Sequence, residues 1–155
     1  MKPKFFIALS LALGTDGAGS LQAHEDLTAR ILMLTTLLST NPSNVEVLIQ
    51  RGDIYRLHGN WTEARNDYAA AGKLATNSAA VLLGQAQLHV DVGEDAAARA
   101  DFDAFIARVP TNSVALLGRA RVLVRLGERR AAIADYSHAI AVAASRVNPL
   151  SAWNR

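Results

Sequence analysis

The sequence predicts an all-α protein, a short α-solenoid of three helical hairpins preceded by one leading helix. Gly59, Gly93 and Gly127 recur at intervals of 34 residues, and residues of the same class return around them in register. Within each interval, the apolar positions follow the spacing of one helical face. A repeat of this length is typical of helical hairpins that stack into a right-handed superhelix.

The first 23 residues differ from the rest of the chain. Two early lysines precede an apolar run at residues 5–13, and small residues then lead to Ala23. This arrangement is typical of a secretory signal peptide, and the run is well short of the ~20 residues that span a bilayer. We expect residues 1–23 to be cleaved after Ala23, or alternatively after Gly19, and the glycines from Gly14 onward to interrupt any helix before that point. The mature protein is then exported, periplasmic or secreted, without a stable membrane span.

The composition limits the classes of function. The chain of 155 residues has 16 basic and 14 acidic residues, a formal net charge of +2, and no cysteine. Its basic residues are scattered and do not form a stripe, so we expect no nucleic-acid partner. The lack of cysteine excludes disulfides and thiol chemistry.

A leading helix is expected within residues 24–42. Its apolar face is Leu27, Ile31, Leu34 and Leu38, and it ends before Asn41-Pro42. This segment is interpreted as the second helix of an incomplete hairpin, or as a cap on the first complete one.

The three hairpins occupy residues 45–78, 79–112 and 113–146, with a tail at 147–155. In the first helices, the core columns are Leu48, Leu82 and Leu116, then Gly52, Ala86 and Ala120, then Tyr55, His89 and Leu123. In the second helices, they are Ala64, Ala98 and Ala132, then Tyr68, Phe102 and Tyr136, then Ala71, Phe105 and Ala139. These spacings of three and four residues keep each set on one face of its helix. In the tail, Leu150 and Trp153 are expected to form one turn over the last apolar face.

These columns resemble the pattern of the tetratricopeptide repeat family. That pattern combines a large apolar residue, a small one and an aromatic in the first helix with alanine, aromatic and alanine in the second. The resemblance covers residues 45–146. Leucines stand at 48, 82 and 116, where the family often has tryptophan.

The resemblance implies that the first helices line a concave groove for a partner peptide. Beside the core columns, the candidate groove residues are Ile49, Asp53, Arg56, Leu57, Leu83, Gln87, Val90, Asp91, Leu117, Arg121, Val124 and Arg125. Charge shifts along this stripe from Asp53 through Gln87 to Arg121, which favours a segment with apolar anchors and an acidic group near the third hairpin. Ile49 and Asp53 do not match the family members that grip a terminal carboxylate. A plain helix surface is the alternative interpretation.

A second set of polar residues also recurs at 34-residue intervals. These residues are Arg51, Gln85 and Arg119 in the first helices and Asp67, Asp101 and Asp135 in the second. Each acid follows its partner by 16 residues, which can bring the two side chains together inside a hairpin. We interpret them as structural pairs that tie the two helices. Ligand binding by these charges is the alternative.

The sequence contains no pattern typical of a metalloprotease, a phosphate loop or a nucleophile elbow. We therefore expect no enzymatic activity, no catalytic or metal site and no cofactor, and a protein or peptide segment as the partner. A rival hypothesis concerns the end of the stack, where Ile133, Tyr136 and Ile140 have only the short tail to cover them. That end would then dock on another copy or on a larger assembly of the cell envelope.

Overall fold

The computed structural model describes residues 16–147, with side chains from Leu27 to Ser145, and has seven α-helices in that range. A leading helix is followed by three hairpins in chain order. The helices are α1 (Asp16–Thr40), α2 (Val45–Leu57), α3 (Trp61–Leu74), α4 (Ala79–Asp91), α5 (Asp95–Ile106), α6 (Ser113–Arg125) and α7 (Arg129–Val147). The predicted all-α solenoid is therefore confirmed. The expected turn at Leu150 and Trp153 lies outside the described residues.

Each hairpin turns at a glycine in the left-handed conformation. Gly59, Gly93 and Gly127 have φ of 77°, 79° and 78°, a region in which a β-carbon raises the energy. The residue after each glycine closes the end of the first helix, as Asn60 does when its N–H donates to the Tyr55 carbonyl at 2.9 Å. These bonds satisfy carbonyls that the helix leaves unpaired.

Polar caps begin the first helix of each hairpin. The side chains of Asn44 and Asn112 accept hydrogen bonds from the backbone N–H groups of Val47 and Ala115 at 3.1 and 3.0 Å. Ser78 is in the same position before α4. Each cap satisfies a backbone donor at the helix start, which is why the hairpins are separated at these residues.

Aromatic side chains of the second helices fill space beside glycines of the first helices. Tyr68 of α3 is fully buried, and it packs against Gly52 of α2 and Gly84 of α4. A β-carbon on Gly84 would lie 2.5 Å from the Tyr68 ring. Phe102 of α5 packs against Gly118 of α6 in the same way. These contacts join one hairpin to the next and set the separation of the first helices.

Helix α1 packs as the second helix of an incomplete hairpin. Its buried side chains Leu34 and Leu38 face α2. Arg51 of α2 donates a hydrogen bond to the Thr35 hydroxyl of α1 at 3.0 Å. Two repeats later, Arg119 of α6 donates to Asp103 of α5 at 2.6 Å, and these two residues occupy the equivalent positions. Helix α1 thus contacts α2 much as α5 contacts α6.

The start of α1 differs from the expectation. Helix α1 begins at Asp16 and includes Gly17 and Gly19, whereas these glycines were expected to interrupt a helix before Ala23. A glycine within a helix raises its free energy by only ~1 kcal/mol relative to alanine. The favourable residues that follow therefore allow the helix to continue through both positions.

Candidate binding groove

The first helices of the three hairpins form one face of the stack, and α4 contacts both α2 and α6. Because the hairpins repeat in register, the candidate groove residues stand at equivalent positions of these three helices. We call this surface the first-helix face. The twelve candidate groove residues belong to these three helices, but they have different surroundings.

A cleft of about 280 Å³ opens on this face between the second and third hairpins. Six of its lining residues were predicted from the sequence. These are Arg56, Gln87, Val90, Asp91, Leu117 and Arg121. The cleft has an apolar floor and a polar rim, as a site for a peptide side chain requires.

Three other residues line the cleft and were not predicted as groove residues. Phe102 is a predicted core residue, and Val114 and Gly118 are not among the candidates, yet all three line the cleft. Gly118 follows Gly84 by 34 residues, so this recurrence was a signal that an aromatic ring approaches α6 there. Without a side chain at 118, the Phe102 ring reaches the floor of the cleft.

The other six candidates do not line the cleft. Ile49 and Leu83 are partly buried and pack against the core. Leu57 and Val124 are exposed elsewhere on their helices. The continuous apolar floor expected along Ile49, Leu83 and Leu117 is therefore reduced to Leu117 and its neighbours.

Two acids of the candidate stripe already have partners within the protein. Asp53 accepts a hydrogen bond of 2.6 Å from the Tyr68 hydroxyl, and burial together with this bond raises the pKa of Tyr68. Arg56 donates to Asp91 at 2.7 Å across the first two hairpins. Burial is the largest influence on Arg56 and lowers its pKa, but the hydrogen bond and charge of Asp91 together with Tyr68 raise the pKa of the guanidinium on balance. Neither acid is therefore a free charge.

The two candidate groove arginines of α6, Arg121 and Arg125, differ in the same respect. Arg125 contacts Asp95 of α5 at 2.6 Å, and its hydrogen bond with Asp95 raises its pKa. Arg121 is exposed at the rim of the cleft and makes no ion pair with a described residue. The gradient expected along the stripe is therefore reduced to one unpaired positive charge.

Buried Arg–Asp pairs tie the helices of the first and third hairpins. Arg51 donates two hydrogen bonds to Asp67, at 2.8 and 2.7 Å. Arg119 does the same with Asp135, at 2.7 Å for both bonds. Both carboxylates are buried, and the cost of removing them from water offsets much of the attraction, so each pair adds only modestly to the stability of the fold. Loss of one partner is nevertheless strongly destabilising, because it leaves the other charge buried and unpaired.

The second hairpin uses a different donor from the one that we expected. Asp101 contacts Nδ1 of His89 at 2.8 Å, whereas Gln85 was the predicted partner. Burial raises the pKa of Asp101, and the contact with His89 opposes this rise. His89 stands in the column of Tyr55, whose ring lies 5.8 Å from the Arg51 guanidinium. In the second hairpin, glutamine replaces arginine at 85 and histidine replaces the apolar or aromatic residue at 89. These two simultaneous replacements indicate in the sequence that the donor to Asp101 changes.

Ion pairs between neighbouring hairpins were missed in the sequence. Arg65 contacts Glu94 at 3.0 Å, and Arg99 contacts Glu128 in the next step of the repeat. Both arginines and both glutamates recur at 34-residue intervals. These exposed pairs align consecutive hairpins, although each stabilises the fold only slightly.

No group of three or more histidine and acidic side chains between Leu27 and Ser145 is arranged to hold a metal ion. From Asp16 to Val147, no helix combines the length and apolar character that crossing a membrane requires.

Comparison with known structures identifies the type of fold. The chain is similar to two crystal structures of MamA, at 24% and 23% sequence identity and TM-scores of 0.70. These similarities cover 78% and 82% of this chain and 71% and 69% of MamA. A tetratricopeptide repeat protein from Parabacteroides merdae has 25% identity and a TM-score of 0.63, over 74% of this chain and 44% of its own length.

No protein-family model and no curated protein sequence matches the chain. The structural similarities nevertheless confirm the predicted tetratricopeptide-type fold.

Proposed function

We propose that this protein is a non-enzymatic scaffold that binds a segment of a partner protein on its first-helix face. The tetratricopeptide-type fold supports this class of function. The finer part of the proposal is the location, the cleft between the second and third hairpins. There an apolar side chain of the partner contacts Val90 and Leu117.

The observation that carries the proposal is the unpaired charge of Arg121. Asp91 and Arg56 neutralise each other, and Arg125 is paired with Asp95. Arg121 therefore leaves the cleft with a positive charge that a carboxylate of the partner complements. The partner segment is an extended or helical peptide with one apolar anchor beside an aspartate or glutamate.

Charge reversal at Arg121 tests this location. Immobilised wild-type protein, R121E and R130E are used to capture proteins from an extract of the source cell's envelope. Arg130 is an exposed basic residue that does not line the cleft, so R130E is a control for the change in net charge. We expect R121E to capture at least about tenfold less of the partner, because the glutamate repels the partner's carboxylate that Arg121 would attract. Equal loss with R130E, or no loss with R121E, would contradict the location.

The exposed apolar residues of α7 support a second candidate function, in which the protein is a structural subunit. Ile140 of α7 is 68% exposed, whereas Ile106, its counterpart one repeat earlier, is 8% exposed against the next hairpin. Ile133 is also exposed, and Tyr136 is partly buried. In this candidate, α7 docks on another copy or on a larger assembly.

The effect of I140D on assembly tests this second candidate. Sedimentation at micromolar concentration is compared for the wild type, I140D and R121E. We expect I140D alone to dissociate an assembly formed through α7, because a charge in an apolar contact must be desolvated. A wild-type monomer with α7 protected from hydrogen exchange would exclude this candidate.

Export through a signal peptide is part of the same proposal. Cleavage after Ala23 removes the first part of α1 and leaves the segment that packs on α2. The intact mass of the protein purified from its source cell tests cleavage. We expect the mass of residues 24–155, or of 20–155 if cleavage follows Gly19. A full-length mass would overturn this part without affecting the cleft.

A further inference from the structure

In the described chain, consecutive repeats meet at three junctions, α1–α2, α3–α4 and α5–α6. The side chain that fills the junction is not the same at all three. Leu38 of α1 and Ile106 of α5 occupy equivalent positions, and both are buried at 8% exposure. The equivalent residue of α3 is Gly72. The junction between α3 and α4 therefore lacks the branched side chain that fills the junctions before and after it.

A polar contact that closes the other two junctions is also missing from this one. Arg51 reaches Thr35 at 3.0 Å, and Arg119 reaches Asp103 at 2.6 Å. At the α3–α4 junction, Gln85 replaces the arginine and Ala69 replaces the acceptor. Alanine has no side-chain acceptor, so the amide of Gln85 has no such partner across the junction.

Both differences open a cleft of about 410 Å³ between α3 and α4. Its apolar wall includes Val81 and Leu82, and Gln85 and Lys73 lie at its polar side. No acidic residue lines it. A β-carbon on Gly72 would meet the Val81 side chain at 3.6 Å, which is an ordinary contact distance. The space is therefore suited to an aliphatic side chain.

This cleft is separate from the candidate groove. Gln85 lines it, whereas Gln87 lines the cleft between the second and third hairpins. Positions two residues apart along an α-helix, such as 85 and 87, differ by about 200° in direction. The two residues therefore place the clefts on opposite sides of α4, and a partner can occupy one without the other.

We propose that the α3–α4 cleft is a second docking site, which takes a leucine or isoleucine side chain of a partner protein together with an adjacent carboxylate. The aliphatic group replaces the side chain that Leu38 and Ile106 supply at the other junctions. The carboxylate replaces the missing acceptor and pairs with Lys73 and the Gln85 amide. Lys73 makes no ion pair with a described residue, and the lining contains no acid to compete for it.

Titration with N-acetyl-L-leucine, observed by backbone amide NMR, tests the site in the full-length protein. This probe carries an isobutyl group and a carboxylate, and its small size predicts a dissociation constant on the order of millimolar. We expect saturable shifts at the amides of Gly72, Val81 and Gln85. N-acetyl-L-alanine lacks the filling group and should bind at least about tenfold more weakly. N-acetyl-L-leucinamide lacks the charge that pairs with the exposed Lys73 and should bind about threefold more weakly.

The variant G72I provides the matched control, because isoleucine fills this position in the next repeat. We expect G72I to remain folded by circular dichroism and to lose the shifts. A second variant, K73E, leaves the cleft open and should weaken binding of the acid but not of the leucinamide. Shifts that persist in G72I, or no saturable shift in the wild type, would overturn the proposal. Shifts confined to Val90 and Leu117 would indicate that the first-helix cleft alone binds the probe.

Discussion

At the scale of single residues, buried Arg–Asp pairs fix how the two helices of a hairpin meet. Arg51 and Asp67 form two short hydrogen bonds, and the Asp67 side chain is only 6% exposed. The geometry is specific because a guanidinium matches a carboxylate in one planar arrangement. The pair therefore contributes more to the alignment of α2 and α3 than to the free energy of folding.

Truncation of Asp67 tests this interpretation. We expect D67A to lower the free energy of unfolding by about 3 kcal/mol, because Arg51 is left without its main partner in a partly buried site. The double variant R51M/D67L should recover most of the loss, since it removes both charges and keeps apolar volume. Urea unfolding of the wild type, D67A and R51M/D67L measures the loss and its recovery. A small loss in D67A would mean that the pair is solvated.

At the scale of the helices, two interior glycines are expected to respond in opposite directions. A β-carbon at Gly72 would be 3.6 Å from Val81, whereas one at Gly84 would be 2.5 Å from the Tyr68 ring. We expect G72A to raise the free energy of unfolding by about 1 kcal/mol through helix propensity. We expect G84A to lower it by about 1–3 kcal/mol, because the buried ring must move. Thermal unfolding of both variants checks the signs, and an equal response would contradict the close packing of Tyr68.

The same scale explains what the sequence can and cannot predict. The helix ends follow from local signals such as Gly93 and Asn112, so they were predictable within each repeat. The partner of Asp101 was not, because His89 and Gln85 stand one turn apart on the same helix and both can donate a hydrogen bond. The pairing of Arg125 with Asp95 depends on how one hairpin lies against the previous one.

At the scale of the whole molecule, each hairpin in the described chain contacts its neighbours, and large apolar side chains stay exposed on α1 and α7. Stability in such a solenoid is approximately the sum of the hairpins and their junctions. Ile140 at the last face is exposed, as are Met33 and Leu37 on α1. Binding on the first-helix face requires several hairpins in register, because Arg121 and Val90 belong to different repeats.

Site-specific photocross-linking in the source cell tests the central claim, that the cleft on the first-helix face receives a partner. A photoreactive phenylalanine analogue is placed at Val114, an exposed residue of the cleft, and separately at Ile140, which is exposed on α7. We expect a discrete partner adduct from position 114, and we expect R121E to abolish it. Adducts from position 140 alone, or an adduct from 114 that R121E leaves unchanged, would contradict the claim.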